Sequence, residues 1–520
     1  MINKIIKNRK AKKQLLKIKI GNPTINNNIH QFNKILFCPL NGTTINTIRE
    51  EIIALSCKMR GADVSMLYLD TNIPISEFYN SNIKKLIYNE KIKKNIIHAR
   101  KLGITTYKTS DYDLKNKEAE IPLHPESLKS LRYKGILIGD LIVASTVRTY
   151  LSNGPDWNNP DFIKTTRKVL KSAQMLTNLY NKLLDEIKPD KLVMSHGIYI
   201  SWGILFRLAR KKGIAVDVYG SSYRKDTLRF YHNTPNAPIP EGEWKSFKSK
   251  DLNNKQINLV NSYIKSRETQ KDDNISLFDE EDNVSTNTIN FLEKYKEKKI
   301  FCLFTNIAWD AFAFSEDQKF DSMNQWIKET IDFFNKRNDA ALIIKIHPAE
   351  VFHKTPLEYR VRTYLDTLTL NKNILIINET ERVKPFYLYN KINFGLIHIS
   401  TVGIEMALQN ISVLTSGAKG HYSNKGFTID PISKEDYFNK LKQLISKELV
   451  FSPDIETAKK YMYFRFFREA INFDLINTHD TSTINSINIH SINDLEKGKN
   501  ESLDIICSGI LNNSKFININ

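Results

Sequence analysis

The residues best suited to chemistry sit at the ends of three short apolar runs in the second half of the chain. Leu342-Ile-Ile-Lys-Ile-His-Pro348 stops at a His-Pro pair. Ile392-Asn-Phe-Gly-Leu-Ile-His-Ile-Ser-Thr-Val-Gly-Ile-Glu405 reaches Ser400-Thr401 and passes into a helical pattern. Ile411-Ser-Val-Leu-Thr-Ser-Gly417 leads on to Gly420-His421-Tyr422. His347 can donate a hydrogen bond, or a proton if it titrates near neutrality. Ser400 and Thr401, where a strand turns into a helix, offer hydroxyls and free backbone N–H groups to an anion. Glu405, one turn into the helix, is placed to accept hydrogen bonds from hydroxyl groups. Lys345 precedes His347 by two residues and shares its face on a regular strand. Such a set can stabilise negative charge growing on a departing phosphate. Each piece alone has a plainer use, His-Pro as a loop entry and Ser-Thr as a helix N-cap. The case for chemistry rests on their convergence.

That convergence depends on the elements behind them. Each run is short, rich in β-branched residues and ends in polar ones, as buried parallel strands do. In open α/β sheets the ligand crevice lies beyond the carboxyl ends of such strands, where His347, Ser400, Thr401 and His421 would gather. The same alternation extends over a domain spanning residues 299–452. It opens with the strand Lys299–Thr305, followed by Asn306 and a loop holding Trp309 and Asp310, and continues through a helix over 321–336 and a strand over 373–378. Strands alternating with helices at this spacing imply a doubly wound parallel sheet.

A second alternation occupies residues 34–239. Lys34–Leu40 reads as a strand, Ile45–Met59 as a helix and Asp63–Leu69 as the next strand, a βαβ opening. Its turn lacks three spaced glycines, so dinucleotide binding is not expected. A long helix over 161–187 precedes the strand Lys191–Ser195, which ends at His196-Gly197. His196 therefore also stands at a strand's carboxyl end, with Asp140 expected behind it. The polar stretch 240–298, with its acidic Asp279-Glu-Glu-Asp282, reads as an inter-domain connection. Residues 453–478 hold an aromatic-rich helix expected to cross between domains, and 479–520 form an Asn- and Ser-rich tail expected to be poorly ordered.

Length and composition bound the reading. At 520 residues the chain is too long for one core, and 41% hydrophobic residues exclude wholesale disorder. The net charge is +19, and eight of the positive charges lie in the first twenty residues without an acid among them. Residues 1–33 therefore read as a basic arm, either lying on an anionic membrane or free in solvent. Nucleic-acid signatures are missing. Four cysteines without Cys-x-x-Cys spacing point to a reducing compartment and no zinc site. No run of about 18 apolar residues predicts a membrane span, and no apolar segment near the N-terminus predicts a secretion signal. The expectation is a cytoplasmic protein, peripheral on the inner face of the cell membrane if the arm binds lipid. No cofactor is called for.

Two Rossmann-type domains facing across a cleft, with a terminal helix crossing between them, resemble the GT-B plan of glycosyltransferases. Lys345-Ile-His-Pro348 followed by Ser400-Thr-Val-Gly-Ile-Glu405 resembles the His-Pro and Ser-Thr motifs of bacterial transferases using CMP-activated sugars, sialyltransferases included. The block Phe301–Phe438 is more similar still to capsular polysaccharide biosynthesis proteins, which include Kdo transferases. Thr305-Asn-Ile-Ala-Trp-Asp310 and Gly420-His-Tyr-Ser-Asn-Lys-Gly-Phe427 carry that likeness too, while the first domain matches loosely through Asp140, Arg148 and Ser195-His-Gly197. The resemblance implies a metal-independent, inverting transfer of a sugar from a nucleotide donor to a surface or lipid-linked glycan. It places His347 on the CMP phosphate and Lys345, Ser400, Thr401, Glu405, Asn306, Asp310, Lys419 and His421 around the donor. The acidic pair that sialyltransferases use as base is missing, which leaves His196 and Asp140 as the catalytic candidates on the acceptor side. Competing readings are a nucleotide-sugar epimerase or CDP-polyol phosphotransferase of the same architecture, and a non-catalytic glycan- or nucleotide-binding scaffold.

Overall fold

A computed structural model describes residues 2–18, 30–70, 73–112, 121–235, 240–267, 273, 283–311, 319–417, 422–480 and 482–518. The chain divides into two units. The first comprises Met1–Thr149, Asp156–Pro238 and Phe466–Asn520, and the second Tyr150–Pro155 and Ile239–Arg465.

The first unit begins with helix α1 (Ile2–Lys17) and strand β1 (Lys34–Cys38), followed by α2 (Thr44–Met59), β2 (Asp63–Tyr68), α3 (Asn82–Lys101) and β3 (Thr105–Lys108). After a small hairpin come α4 (Gly139–Tyr150), α5 (Pro160–Ile187), β4 (Lys191–Ser195), α6 (Ile204–Lys211), β5 (Ala215–Ser221) and β6 (Thr227–His232). Local chemistry sets the ends of α5. Asn159 caps its start by accepting from the Asp161 and Phe162 N–H groups, and Pro160 fills the first turn, where a missing N–H costs nothing. Lys188 ends it in the left-handed region. Strands β1 to β5 are all parallel, in the order β3-β2-β1-β4-β5, and β6 joins β5 antiparallel. The order reverses between β1 and β4, so a crevice opens at their carboxyl ends.

The second unit repeats the plan with β7 (Lys299–Phe304), α7 (Met323–Asn335), β8 (Ala340–Lys345), β9 (Ile374–Ile377), β10 (Phe394–Ile397), α8 (Val402–Leu408), β11 (Ser412–Thr415), α9 (Lys434–Ser446) and α10 (Ile455–Tyr463). All five strands are parallel, in the order β9-β8-β7-β10-β11, and the reversal lies between β7 and β10. Their continuous apolar sequences follow from burial on both sides. Phe301, Leu303, Trp326, Phe334, Ile344 and Tyr437 anchor a core beneath α7 and α9. The doubly wound parallel sheets expected from the sequence are therefore present in both units.

Three expectations need correction. The stretch 240–298 is not a free connection, because its helices Glu241–Lys248, Asn254–Ser266 and Thr286–Tyr295 belong to the second unit. Each polar helix buries an aromatic edge, through Trp244 and Phe247, Tyr263, and Phe291 and Tyr295. The acidic run Asp279–Asp282 lies outside the described residues. The tail from 479 is not loose either: the helix expected to reach 478 gives way after Arg468 to β12 (Ile471–Asn472), which extends the first sheet beside β6, then β13 (Ile476–Asp480) and β14 (Thr483–Ile487) form a hairpin, and α11 (Glu501–Asn512) packs on α2. Isoleucines and leucines spaced among Asn and Ser supply its buried side, including Ile484, Ile487, Ile489 and Leu495. Lastly, the basic arm is a docked helix over 2–17. Asn8 donates to the Ser482 carbonyl at 3.0 Å and accepts from the Ile484 N–H at 2.9 Å, and Gln14 donates to the Ile487 carbonyl at 2.6 Å. Residues 19–29, the rest of the expected arm up to its last few residues, lie outside the described residues.

The aromatic residues expected to cross between domains divide at residue 465. Tyr461 packs within the second unit against Trp244 and Phe427, while Phe466 stacks on Tyr223 in the first at 4.3 Å. All four cysteines are free and buried, with Cys57 and Cys507 approaching to 3.7 Å between α2 and α11. Among the described residues no helix is long and apolar enough to cross a membrane.

Candidate functional site

In the second unit, three loops meet beyond the strand ends. The Thr305 hydroxyl, just past β7, accepts from the His347 N–H at 2.9 Å, which ties the loops after β7 and β8 together. Asn306 Oδ1 accepts from the Ile399 N–H at 3.4 Å and links β7 to the loop after β10. His347 Nδ1 accepts from the Ala349 N–H at 3.2 Å, which assigns the ring proton of the neutral form to Nε2. Burial, then the positive charges of Lys345 and His353, push the His347 pKa down to about 4. The ring is therefore neutral at physiological pH, and of the two expected roles the structure favours the Nε2–H hydrogen-bond donor over the proton donor. Lys345 lies buried at the end of β8. Nearby, Trp309 donates to the Thr355 hydroxyl at 3.2 Å and meets the His353 ring edge-on.

Ser400 and Thr401 occupy the turn from β10 into α8. The Thr401 backbone is already helical and its side chain makes no capping bond, so it does not serve as the N-cap that the plainer reading expected. Ser400 Oγ accepts only a long 3.4 Å bond from the Val402 N–H, while its carbonyl accepts from the Tyr422 hydroxyl. With seven residues, α8 is too short for its dipole to make an anion site by itself. Gly403 allows the close approach: a Cβ there would lie 2.4 Å from Ile397 Cδ1 and 2.8 Å from Tyr422 Oη. Glu405 proves to be a framing residue. It is 3% exposed, its Oε1 accepts from Arg267 at 2.9–3.0 Å and its Oε2 from the Tyr389 hydroxyl at 2.8 Å. Asp310 falls in the one-turn helix Ala308–Ala311, and Lys419 and His421 lie outside the described residues.

The first unit presents a different arrangement at its own reversal point. After β4 the backbone is strained, with His196 at φ +87° and Tyr199 at φ +64°, and the chain winds through a π-helical turn, Tyr199–Gly203, before α6. Non-glycine residues in that region and π turns both concentrate at functional sites. The exposed His196 ring lies 5.0 Å from Trp202, whose other neighbour is Phe78 at 4.8 Å. Surrounding chain and then the Arg148 charge push its pKa down.

Asp140 does not support His196. Both of its oxygens accept from Arg207, at 2.6 and 2.5 Å, an i to i+67 pairing invisible to local spacing. The carboxylate that does reach this turn is Glu77, which the sequence did not single out. Its oxygens accept from the Ser201 N–H at 3.0 Å and the Ser201 hydroxyl at 2.9 Å. Burial raises its pKa to about 7 against those bonds and the nearby Arg148 charge. A carboxyl group titrating near neutrality beside a strained turn can accept a proton from an attacking hydroxyl. Its only sequence signal is an acid shortly after β2.

No family model and no curated protein matches this chain. Among solved structures, it is similar to the KpsC β-Kdo 2,4 transferase of Thermosulfurimonas dismutans, at 12% identity and a TM-score of 0.33, over 52% of this chain and 79% of that one. It is also similar to the Methanocaldococcus jannaschii UDP-GlcNAc 2-epimerase bound to UDP-GlcNAc and UDP, at 13% identity and a TM-score of 0.29, over 83% and 99%. The S. aureus MnaA–UDP structure follows at 12% and 0.27, over 82% and 91%. At such identities and scores these likenesses assign neither a residue nor an activity, and the site rests on the geometry above.

Proposed function

We propose that the chain is a glycosyltransferase that moves a sugar from a CMP-linked donor onto a growing surface or capsular glycan, with inversion and without a metal. The supporting observation is the set of donors at the ends of β8 and β10: a neutral His347 with its proton on Nε2, the lightly used Ser400 hydroxyl and the uncapped Thr401. As the bond from the anomeric carbon to the phosphate oxygen breaks, negative charge grows on the nucleotide, and fixed donors stabilise it more than they stabilise the intact donor. Lys345 adds positive charge from below. The acceptor hydroxyl must lose a proton as its oxygen bonds to the anomeric carbon. In this reading Glu77 and His196 are the two candidates for the group that takes it.

Titration calorimetry with CMP, CDP and UDP tests the donor half. CMP should bind selectively, and His347→Ala should weaken it by about ten- to a hundredfold, the range expected on losing a hydrogen bond to a charged group. Tight UDP binding that is indifferent to His347 would overturn the reading in favour of an epimerase. Transfer that persists in EDTA supports the metal-free course, and transfer abolished by EDTA contradicts it.

A further inference from the structure

Surface helices normally turn a purely polar side to water, but α3 mixes large apolar side chains among the lysines of its exposed side. It buries Tyr88, Ile92, Ile96 and Ala99 beneath it, yet Ile83, Leu86 and Ile87 are 72%, 67% and 53% exposed, with Ile97 further along. At 100° per residue, Ile83, Ile87, Glu90, Lys94, Ile97 and Lys101 fall on one outward stripe, apolar and basic but for that single acid. Helix α1 packs beside it in the same unit: Lys12 Nζ donates to Asn95 at 2.5 Å, and the His98 ring bridges the Lys12 carbonyl and Glu51. This neighbour adds exposed Ile5 and Ile6. Six of the thirteen large apolar side chains that stand exposed among the described residues thus lie on two adjacent helices.

The charge on the same helices selects the occupant. Each carries seven lysines and arginines, and the only acid on either is Glu90. A second copy pressing the same face against this one would bring like charges together at short range. An anionic lipid surface meets both features, since the headgroups pair with the cations and the aliphatic chains enter the headgroup boundary. We infer that α1 and α3 together form a membrane-docking face, with the α3 isoleucines and leucine as its inserting edge. The docked α1 supplies charge from a fixed position, not as a free arm. This inference concerns where the proposed transferase works and rests on none of its donor chemistry, so CMP binding and vesicle binding can fail separately.

Sedimentation of the full chain with phosphatidylglycerol–phosphatidylcholine vesicles, against phosphatidylcholine alone, tests it. The expected result is binding only to the anionic vesicles, weakening as salt is raised. The double variant Leu86→Ser/Ile87→Ser, its fold checked by circular dichroism, should lose about tenfold in partition, since insertion buries part of two aliphatic side chains. Charge reversal at Lys10 and Lys13 should flatten the salt dependence. Binding that ignores the Leu86/Ile87 change would overturn the inserting edge. Failure to bind either vesicle, or a dimer in free solution dissolved by the same double variant, would overturn the lipid assignment.

Discussion

The two reversal points share a strand order and differ in how the backbone leaves it. After β10 the chain enters α8 with Thr401 in ordinary helical geometry, and what it presents is small, two hydroxyls, to which the loop after β8 adds the neutral His347 imidazole. After β4 it passes through two positive-φ residues and a π-helical turn that presents the His196 ring and holds, through Ser201, the Glu77 carboxyl that follows β2 and titrates near neutrality. Strain of this sort costs on the order of 1–3 kcal/mol per residue and persists only where packing imposes it. A relaxed turn suits the holding of a ligand that arrives already charged. The strained one suits a group whose protonation has to change. Under the proposed function the relaxed turn would hold the donor and the strained one would serve the proton transfer, and that division can be attacked directly.

The largest expected effect is on turnover. Glu77→Gln should reduce it at least about a hundredfold, the lower range for removal of a general base, while CMP affinity stays unchanged. The pH dependence decides between the two candidate bases. If Glu77 takes the proton, kcat/KM climbs as pH rises towards about 7 and then levels, because the charged form is needed. Stability moves the other way: a carboxyl raised in the folded state favours folding most below its unfolded value, and that contribution is lost as pH rises through about 7. If His196 is the base, its depressed pKa leaves it unprotonated throughout and no limb appears near 7. Loss of turnover in His196→Ala with a flat profile would return the role to the histidine.

Smaller effects probe the relaxed side and the strain itself. Gly403→Ala should destabilise the second unit by about 1–3 kcal/mol, because the new methyl collides with Ile397 and Tyr422, and thermal melting measures the loss. His196→Gly should raise stability by about 1 kcal/mol by relieving φ +87° while lowering turnover. A stability that fell instead would mean that the ring's contact with Trp202 outweighs the strain. The smallest change is expected for Asp140→Asn. Its half-exposed pairing with Arg207 is worth less than about 1 kcal/mol after solvent screening, and turnover should hold, since the pair does not touch His196.

What the sequence disclosed follows from range. Strand ends were legible because apolar runs such as Leu342–Ile346 stop abruptly at polar residues, and the alternation of runs with helices implied both parallel sheets. The Ser400-Thr401 turn was legible for the same reason. Asp140 was misread because its partner Arg207 lies on another helix, and Glu405 because Arg267 and Tyr389 reach it from outside its own element. Glu77 escaped notice because its pKa comes from burial beside a turn more than a hundred residues away. The tail escaped because its buried isoleucines are diluted among Asn and Ser, so their side of the hairpin shows only against α1.

The interleaving of the two units bears on synthesis. The second is nearly continuous, Ile239–Arg465 with only Tyr150–Pro155 taken from earlier, whereas the first needs residues after Phe466 to finish its sheet and to seat its opening helix. Until those residues emerge, β6 has an open edge where β12 belongs, and buried Lys191, paired with Asp217 at 3.0 Å, lacks the Gly509 carbonyl it donates to in α11. The segment made first is thus the last to become stable. A nascent chain of this protein therefore carries an open edge on its first sheet until its last fifty or so residues emerge, and that edge is the place where pairing with another chain competes with folding.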